Sequence, residues 1–195
     1  MKKNLFCLVF LAQMAIAQDQ ALNSSVTIED VPMGKSEELV NIGLNEAQRK
    51  DVAQRLNTLL ADEYTLYIKT QKFHWNVVGP FFGSLHKLFN KQYDQLAANV
   101  DLVAERVRAL GFKAYGSLAE FIENTNIPEN PDVNPSANMM IKLLLEGHES
   151  IIKNLRELVI YTVEINDTGT NNFVSDLIEK HEKAAWMLRA HLLGQ

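Results

Sequence analysis

The sequence predicts an all-α chain: a four-helix bundle with a short extra helix in the long connection between the second and third helices. Three observations predict it. From Asn45 onward, apolar residues recur at three-four spacing in four stretches, each roughly 22 to 29 residues long, the length of bundle helices. No stretch shows the period-two alternation of a half-buried strand. All five prolines fall outside the four stretches, as helix interiors require.

Asn45, followed three residues later by Gln48, forms a capping box that opens the first helix. Val52, Leu56, Leu59, Leu60, Tyr67 and Phe73 carry its apolar face to about residue 74. Gly79-Pro80 then breaks the pattern. A second helix runs from Phe82 to Leu110 with Leu85, Phe89, Tyr93, Leu96, Val100, Val103 and Val107 in one stripe, and Gly111 stops it. A short helical stretch is expected around Ser117 to Ile122. Residues 124–135, NTNIPENPDVNP, hold three of the five prolines and read as a loop. Ser136 caps a third helix with Met140, Leu144, Ile151, Leu155, Leu158 and Thr162 inward. Asp167 to Asn172 reads as a polar turn. The fourth helix follows, with Phe173, Leu177, Ala184, Ala185 and Leu188 on its apolar side.

At 195 residues the chain holds one domain, at most two small ones. Hydrophobic residues make up 47% and charged residues 22%, a balance that excludes a wholly disordered chain. The net charge of -5 argues against a general electrostatic grip on nucleic acid and suits a surface that handles cations. A single cysteine excludes an intrachain disulfide, a redox pair and a Cys-rich zinc site.

Residues 1–17 read as a secretory signal peptide. Lys2 and Lys3 precede the apolar run Leu5 to Ala12, and Ala15-Ile16-Ala17 supplies a cleavage site before Gln18. The run is too short for a membrane anchor. Cleavage would remove two of the 19 basic residues, none of the 24 acidic ones and the only cysteine, taking the net charge from -5 to -7. Residues 18–43 form an acidic leader expected to be flexible, and residues 44–195 the bundle. The expected location is therefore outside the cytoplasm, in a periplasm. An uncleaved amphipathic tail would leave the protein cytoplasmic.

Chemistry is sought next in metal-ligand patterns. A bundle that holds two metals in its own core commonly uses Glu-x-x-His pairs. The residues three before each histidine are Gln71, Gly83, Leu145, Ile178 and Leu188, so that pattern is missing. There is no HExxH, no phosphate loop and no GxSxG elbow. What remains is His74 at the end of the first helix, His86 one turn into the second, and Asp101 and Glu105 further along it. Asp101 and Glu105, four apart, share one helix face. Carboxylates and imidazoles together suit iron or zinc. His86 and Asp101, however, are 15 positions apart, which is roughly 22 Å along a helix. Either an antiparallel two-fold partner brings its histidines to this chain's carboxylates, or the four form no joint site. The plainer alternative is a solvated acidic face with ion pairs to Arg106 or Arg108, and a histidine that caps a helix end.

FHWNVVGP, followed by the frame that carries Leu85-His86, Tyr93-Asp94, Asp101 and AERVRALG, resembles the Dps family of miniferritins over roughly residues 40–193. The resemblance implies a ferritin-like four-helix bundle and a homododecameric cage that oxidises Fe(II) and stores the ferric mineral, protecting against oxidative stress. It implies that His74 and His86 are ferroxidase ligands of one subunit, that Asp101 and Glu105 are given by the two-fold partner, and that Trp75 sits beside the iron site. It implies hydrogen peroxide as the preferred oxidant. Trp186 matches another tryptophan of the family, with core or interface packing as its expected role, and His148, His181 and His191 match no ligand position.

Two departures from the family pattern stand out. Asn90 lies four residues after His86, where many members carry an acid. The stretch NDTGTNN before the last helix has Asp167 but Asn171 and Asn172 where the family's acidic pore is found, with Asp176 one turn on. DNA binding or compaction, the alternative function, would need a basic tail, and this leader is acidic. A structural cage with a silent metal site is the third reading.

Overall fold

The computed structural model describes residues 40–130 and 134–193. The expected signal segment 1–17 and residues 18–39 of the expected leader lie outside the described residues. Five helices follow one another: α1 (Glu46–Asn76), α2 (Phe82–Ala109), α3 (Leu118–Asn124), α4 (Ala137–Glu164) and α5 (Thr168–Leu192). No strand occurs among the described residues. α1 pairs with α2 and α4 with α5, α1 packs across onto α4, and α3 lies on α1, while α2 and α5 stand further apart and meet through side chains.

The helix ends follow from local chemistry. Asn45 and Gln48 form the reciprocal capping box at α1, and Ser117 and Glu120 do the same at α3. At the end of α2, Gly111 has φ 87°. Its amide and that of Phe112 return to the carbonyls of Arg108 and Val107, a Schellman ending that needs a left-handed residue. Inside, Leu56, Leu66 and Phe73 of α1 meet Phe89 and Leu96 of α2, Leu144 and Ile151 of α4, and Leu177 and Leu188 of α5, all fully buried. Burying each such side chain contributes about 1.5–3 kcal/mol. Gly147 lets α4 approach α1: a Cβ there would meet Leu66 Cδ1 at 2.6 Å.

The proline-rich connection is fixed by side chains of α1. Lys69 Nζ and Lys72 Nζ donate to the carbonyls of Pro128 and Asn130. The buried Asp62 carboxylate accepts from Thr125, Asn126 and Asn154. Burial pushes the Asp62 pKa up in spite of these donors.

One expected element is corrected. Residues 167–172 are not a turn. The chain reverses at Ile165 and Asn166, where Asn166 takes φ 60° and the amides of Asn166 and Asp167 return to Val163 and Thr162. Asparagine tolerates this left-handed position. Asp167 is then already the N-cap of α5, accepting from the Thr170 amide. Val174 is buried on α5, while Phe173 and Ala184 are half-buried.

Candidate metal centre

The site begins where α1 ends. The last carbonyls of a helix lack in-helix partners. Val77 N takes the Phe73 carbonyl at 2.9 Å, and His86 Nδ1 takes the His74 carbonyl at 3.0 Å. The pairing is reciprocal, because His74 Nδ1 donates to the His86 carbonyl at 2.8 Å. The two rings stack with centroids 3.7 Å apart and planes at 22°.

A carbonyl only accepts, so each Nδ1 carries the hydrogen. Each Nε2 is then left with its lone pair, the tautomer that a metal-binding histidine needs. The Tyr93 ring stands edge-on to His74 with centroids 5.2 Å apart, and the Phe82 and His86 ring centroids are 5.1 Å apart. Gly79, at φ 107°, makes the reversal that brings the second histidine back onto the first.

Asp101 and Glu105 are exposed on α2 and have no side-chain partner among the described residues. The ion pair to Arg106 that the plainer alternative offers does not form, because Arg106 reaches α5 and binds Asp167 and Thr170. The structure thus joins His74 to His86 and leaves Asp101 and Glu105 apart from them within the chain. Among the described residues no three His, Cys, Asp or Glu side chains gather around a common metal position.

Large apolar side chains are exposed near both half-sites: Trp75, Val78, Phe81 and Phe82 near the histidines, and Leu102 beside Asp101. Trp75 is 67% exposed, so it lies outside the core of the described residues.

A family model described as a ferritin-like domain matches residues 53–193. The chain is 45% identical to an uncharacterized low temperature-induced protein of Nostoc sp., over 80% of this chain and 88% of that protein. It is 32% identical to DNA protection during starvation protein 2 of Bacillus anthracis, over 73% of this chain and 97% of that one. The crystal structure of a Dps protein from Vibrio cholerae, described as a member of a broad superfamily of ferritin-like diiron-carboxylate proteins, superposes with a TM-score of 0.75 at 30% identity. That alignment covers 82% of this chain and 98% of the Vibrio chain. This chain belongs to the Dps family of ferritin-like proteins.

Several residues of this Dps-family chain stand differently from their sequence reading. Asn90 donates its amide to Asp94 Oδ2 at 2.7 Å and accepts from the Tyr93 hydroxyl at 3.0 Å. Asp94, which sequence reasoning passed over, is thus tied to the first turns of α2. Its i,i+4 spacing from Asn90 was the available signal. Asp167 is buried by its cap and by Arg106, so it is not a free pore acid, and Asp176 pairs with Lys180 at 2.6 Å. Trp186 is 63% exposed and therefore outside the chain's core. His148 and His181 are buried, in contact with each other and with Glu63.

Proposed function

We propose that this protein is a miniferritin. Fe(II), its substrate, binds between His74 and His86 of one subunit and Asp101 and Glu105 of an antiparallel two-fold neighbour. It is oxidised there, preferentially by hydrogen peroxide, and the ferric product is stored inside a twelve-chain cage. The observation that carries this reading is the reciprocal histidine pair, whose two Nε2 lone pairs are left free by the Nδ1 hydrogen bonds. It is supported by two unpaired exposed carboxylates one turn apart, and by exposed apolar side chains near both half-sites. The Vibrio relative's description as ferritin-like and diiron-carboxylate points the same way.

Each Fe(II) gives one electron. Peroxide needs two electrons and two protons to become two waters, so a site that presents two Fe(II) consumes it without releasing a hydroxyl radical. The carboxylates favour the hard Fe(III), and the imidazoles help to hold Fe(II). Ferric ion then hydrolyses to oxyhydroxide and leaves the site. Asn90 is a neutral group where an acid would hold the second iron more firmly, so that position is the weaker one. Trp75, beside His74, is placed to absorb a stray one-electron oxidation.

The test is anaerobic Fe(II) loading and one addition of peroxide, with ferric absorbance followed for the intact protein and for a His74→Ala, Asp101→Ala variant. Oxidation at two Fe(II) per peroxide that depends on those residues is expected. A rate no faster than buffer would favour a cage with a silent metal site. DNA compaction finds no support in the charge of -5. Residues 1–17 are proposed to direct export to the periplasm, and the intact mass of protein from the producing cell should then begin at Gln18.

A further inference from the structure

The centre of the bundle holds a second group of ligand-type side chains, one from each long helix: Glu63 of α1, Asn99 of α2, His148 of α4 and His181 of α5. None is more than 2% exposed. His181 Nε2 lies 2.7 Å from Glu63 Oε1, and His181 Nδ1 lies 2.9 Å from His148 Nδ1. Asn99 Nδ2 stands 3.4 Å from Glu63 Oε1.

The hydrogens can be assigned. The Glu63 carboxylate accepts, so His181 Nε2 carries a hydrogen. One hydrogen then lies between the two Nδ1 atoms, donated by His148 to the His181 lone pair. Burial, and after it the neighbouring His181, holds His148 well below the usual imidazole range, so His148 stays neutral.

This arrangement is incomplete. Glu63 Oε2 and His148 Nε2 are buried without a hydrogen-bond partner, and so is Gln92 Oε1. A buried polar group left unpaired costs about 1–3 kcal/mol, and such groups in a native protein call for a missing water or ion. A cavity of about 280 Å³ lies between α2 and α5, and Gln92, Asn99, His148 and His181 line it. The cavity therefore reaches from the helix surface to the two imidazoles. Glu63 does not line it and stands behind His181.

We propose that His148 and His181 bind one divalent transition-metal cation of the kind imidazole favours, such as Zn(II) or Co(II), in the core of each subunit. Two nitrogens that share a tetrahedral ion at about 2.0–2.1 Å are roughly 3.3–3.4 Å apart, so the two Nδ1 atoms, 2.9 Å apart, separate by a few tenths of an ångström to admit it. The ion takes the place of the hydrogen between them. That hydrogen moves to His148 Nε2, so the exchange balances without a proton leaving the pair; His148 Nε2–H, like Gln92 Oε1, is left to water in the cavity, and Glu63 Oε2 gains no partner from the ion. Glu63 accepts from His181 Nε2–H behind the metal, orienting the ring and raising its basicity. Water in the cavity, hydrogen-bonded to Gln92 Oε1, completes the coordination. The site has two protein ligands and lies inside one subunit, so it does not depend on the subunit interface or on the ferroxidase reading.

The test is a Co(II) titration of the full-length assembled protein carrying His74→Ala and Asp101→Ala, which removes the first site, followed by visible ligand-field absorption. One Co(II) per chain is expected, and adding His148→Gln should weaken binding at least tenfold. No Co(II) bands before His148 is changed, or bands unaltered afterwards, would overturn the proposal. In case His148→Gln disturbs folding, crystals of the unaltered protein soaked in Zn(II) give a second reading. An anomalous peak within bonding distance of both Nδ1 atoms is expected, and a water or an empty cavity there refutes the site.

Discussion

Replacing Asp167 separates a structural role from a role in iron passage. Its carboxylate caps α5 through the Thr170 amide at 2.9 Å, accepts from the Thr170 hydroxyl, and pairs with Arg106 at 3.2 Å. In Asp167→Ala the lost cap costs about 1 kcal/mol. Arg106 and Thr170 lose an acceptor in a part-buried place, a further ~1–2 kcal/mol. That is the lower part of the roughly 1–3 kcal/mol for a fully buried group, because the Arg106 side chain is 23% exposed and water can reach it. The sum, roughly 2–3 kcal/mol, corresponds to a fall of about 1–1.5 M in urea midpoint for a slope near 2 kcal/mol/M. The assay is urea unfolding followed by circular dichroism at one fixed protein concentration, since assembly adds to apparent stability. Asp167→Asn keeps a good capping oxygen and loses the charge, so it should fall about half as far. A midpoint for Asp167→Ala within about 0.3 M of the parent would refute the reasoning, and so would equal losses in the two variants. Slower iron accumulation with an unchanged midpoint would return Asp167 to the role of a pore acid.

Two further outcomes follow from the same geometry. Asn90→Asp replaces an amide that donates to Asp94 at 2.7 Å with a second carboxylate; anaerobic titration should then find the weaker Fe(II) position bound about tenfold more tightly, a change of ~1.4 kcal/mol, and unchanged affinity would count against Asn90 as the weak point. Glu120 has its pKa lowered, first by the Gly116 amide and then by the Ser117 hydroxyl. Its stabilisation of α3 is therefore complete above the unfolded value of about 4.3 and lost as pH falls through the lower folded value. Amide-exchange protection of Phe121 should drop on acidification in the parent but not in Glu120→Gln, and identical profiles would contradict the assignment.

Most of the fold was legible because its signals are local. The Asn45–Gln48 box, the Gly79-Pro80 break, the Gly111 ending and the Ser136 cap each specify an element end through a few adjacent residues. The α4–α5 corner was misread because polar residues 167–172 look like a loop by composition. What decides the corner is the left-handed Asn166 and the double use of Asp167 as helix ending and helix cap. The candidate site was half legible. Helix arithmetic separated His86 from Asp101, and the Dps resemblance put the four ligands together. The reciprocal ring-to-carbonyl bonds were not readable, since they depend on how one hairpin closes. The core group of Glu63, Asn99, His148 and His181 was hidden for a different reason. Its members are 33 to 118 positions apart, and no short spacing rule links one residue from each of four helices.

The two groups of histidines show how the same bundle treats the same side chain in opposite ways. At the α1–α2 turn, two backbone carbonyls take both Nδ1 hydrogens, and each Nε2 keeps its lone pair. Among the described residues their lone pairs have no partner, and neither do the carboxylates of Asp101 and Glu105. Under the proposed reading, these unused groups complete one another only across a two-fold axis, which produces two sites per pair of subunits. Oxidation is then a property of the assembly, and a single chain holds only two separated half-sites. In the core, by contrast, the histidines use one another and Glu63. What they lack must come through the cavity between α2 and α5, so that site would remain whole in a single subunit.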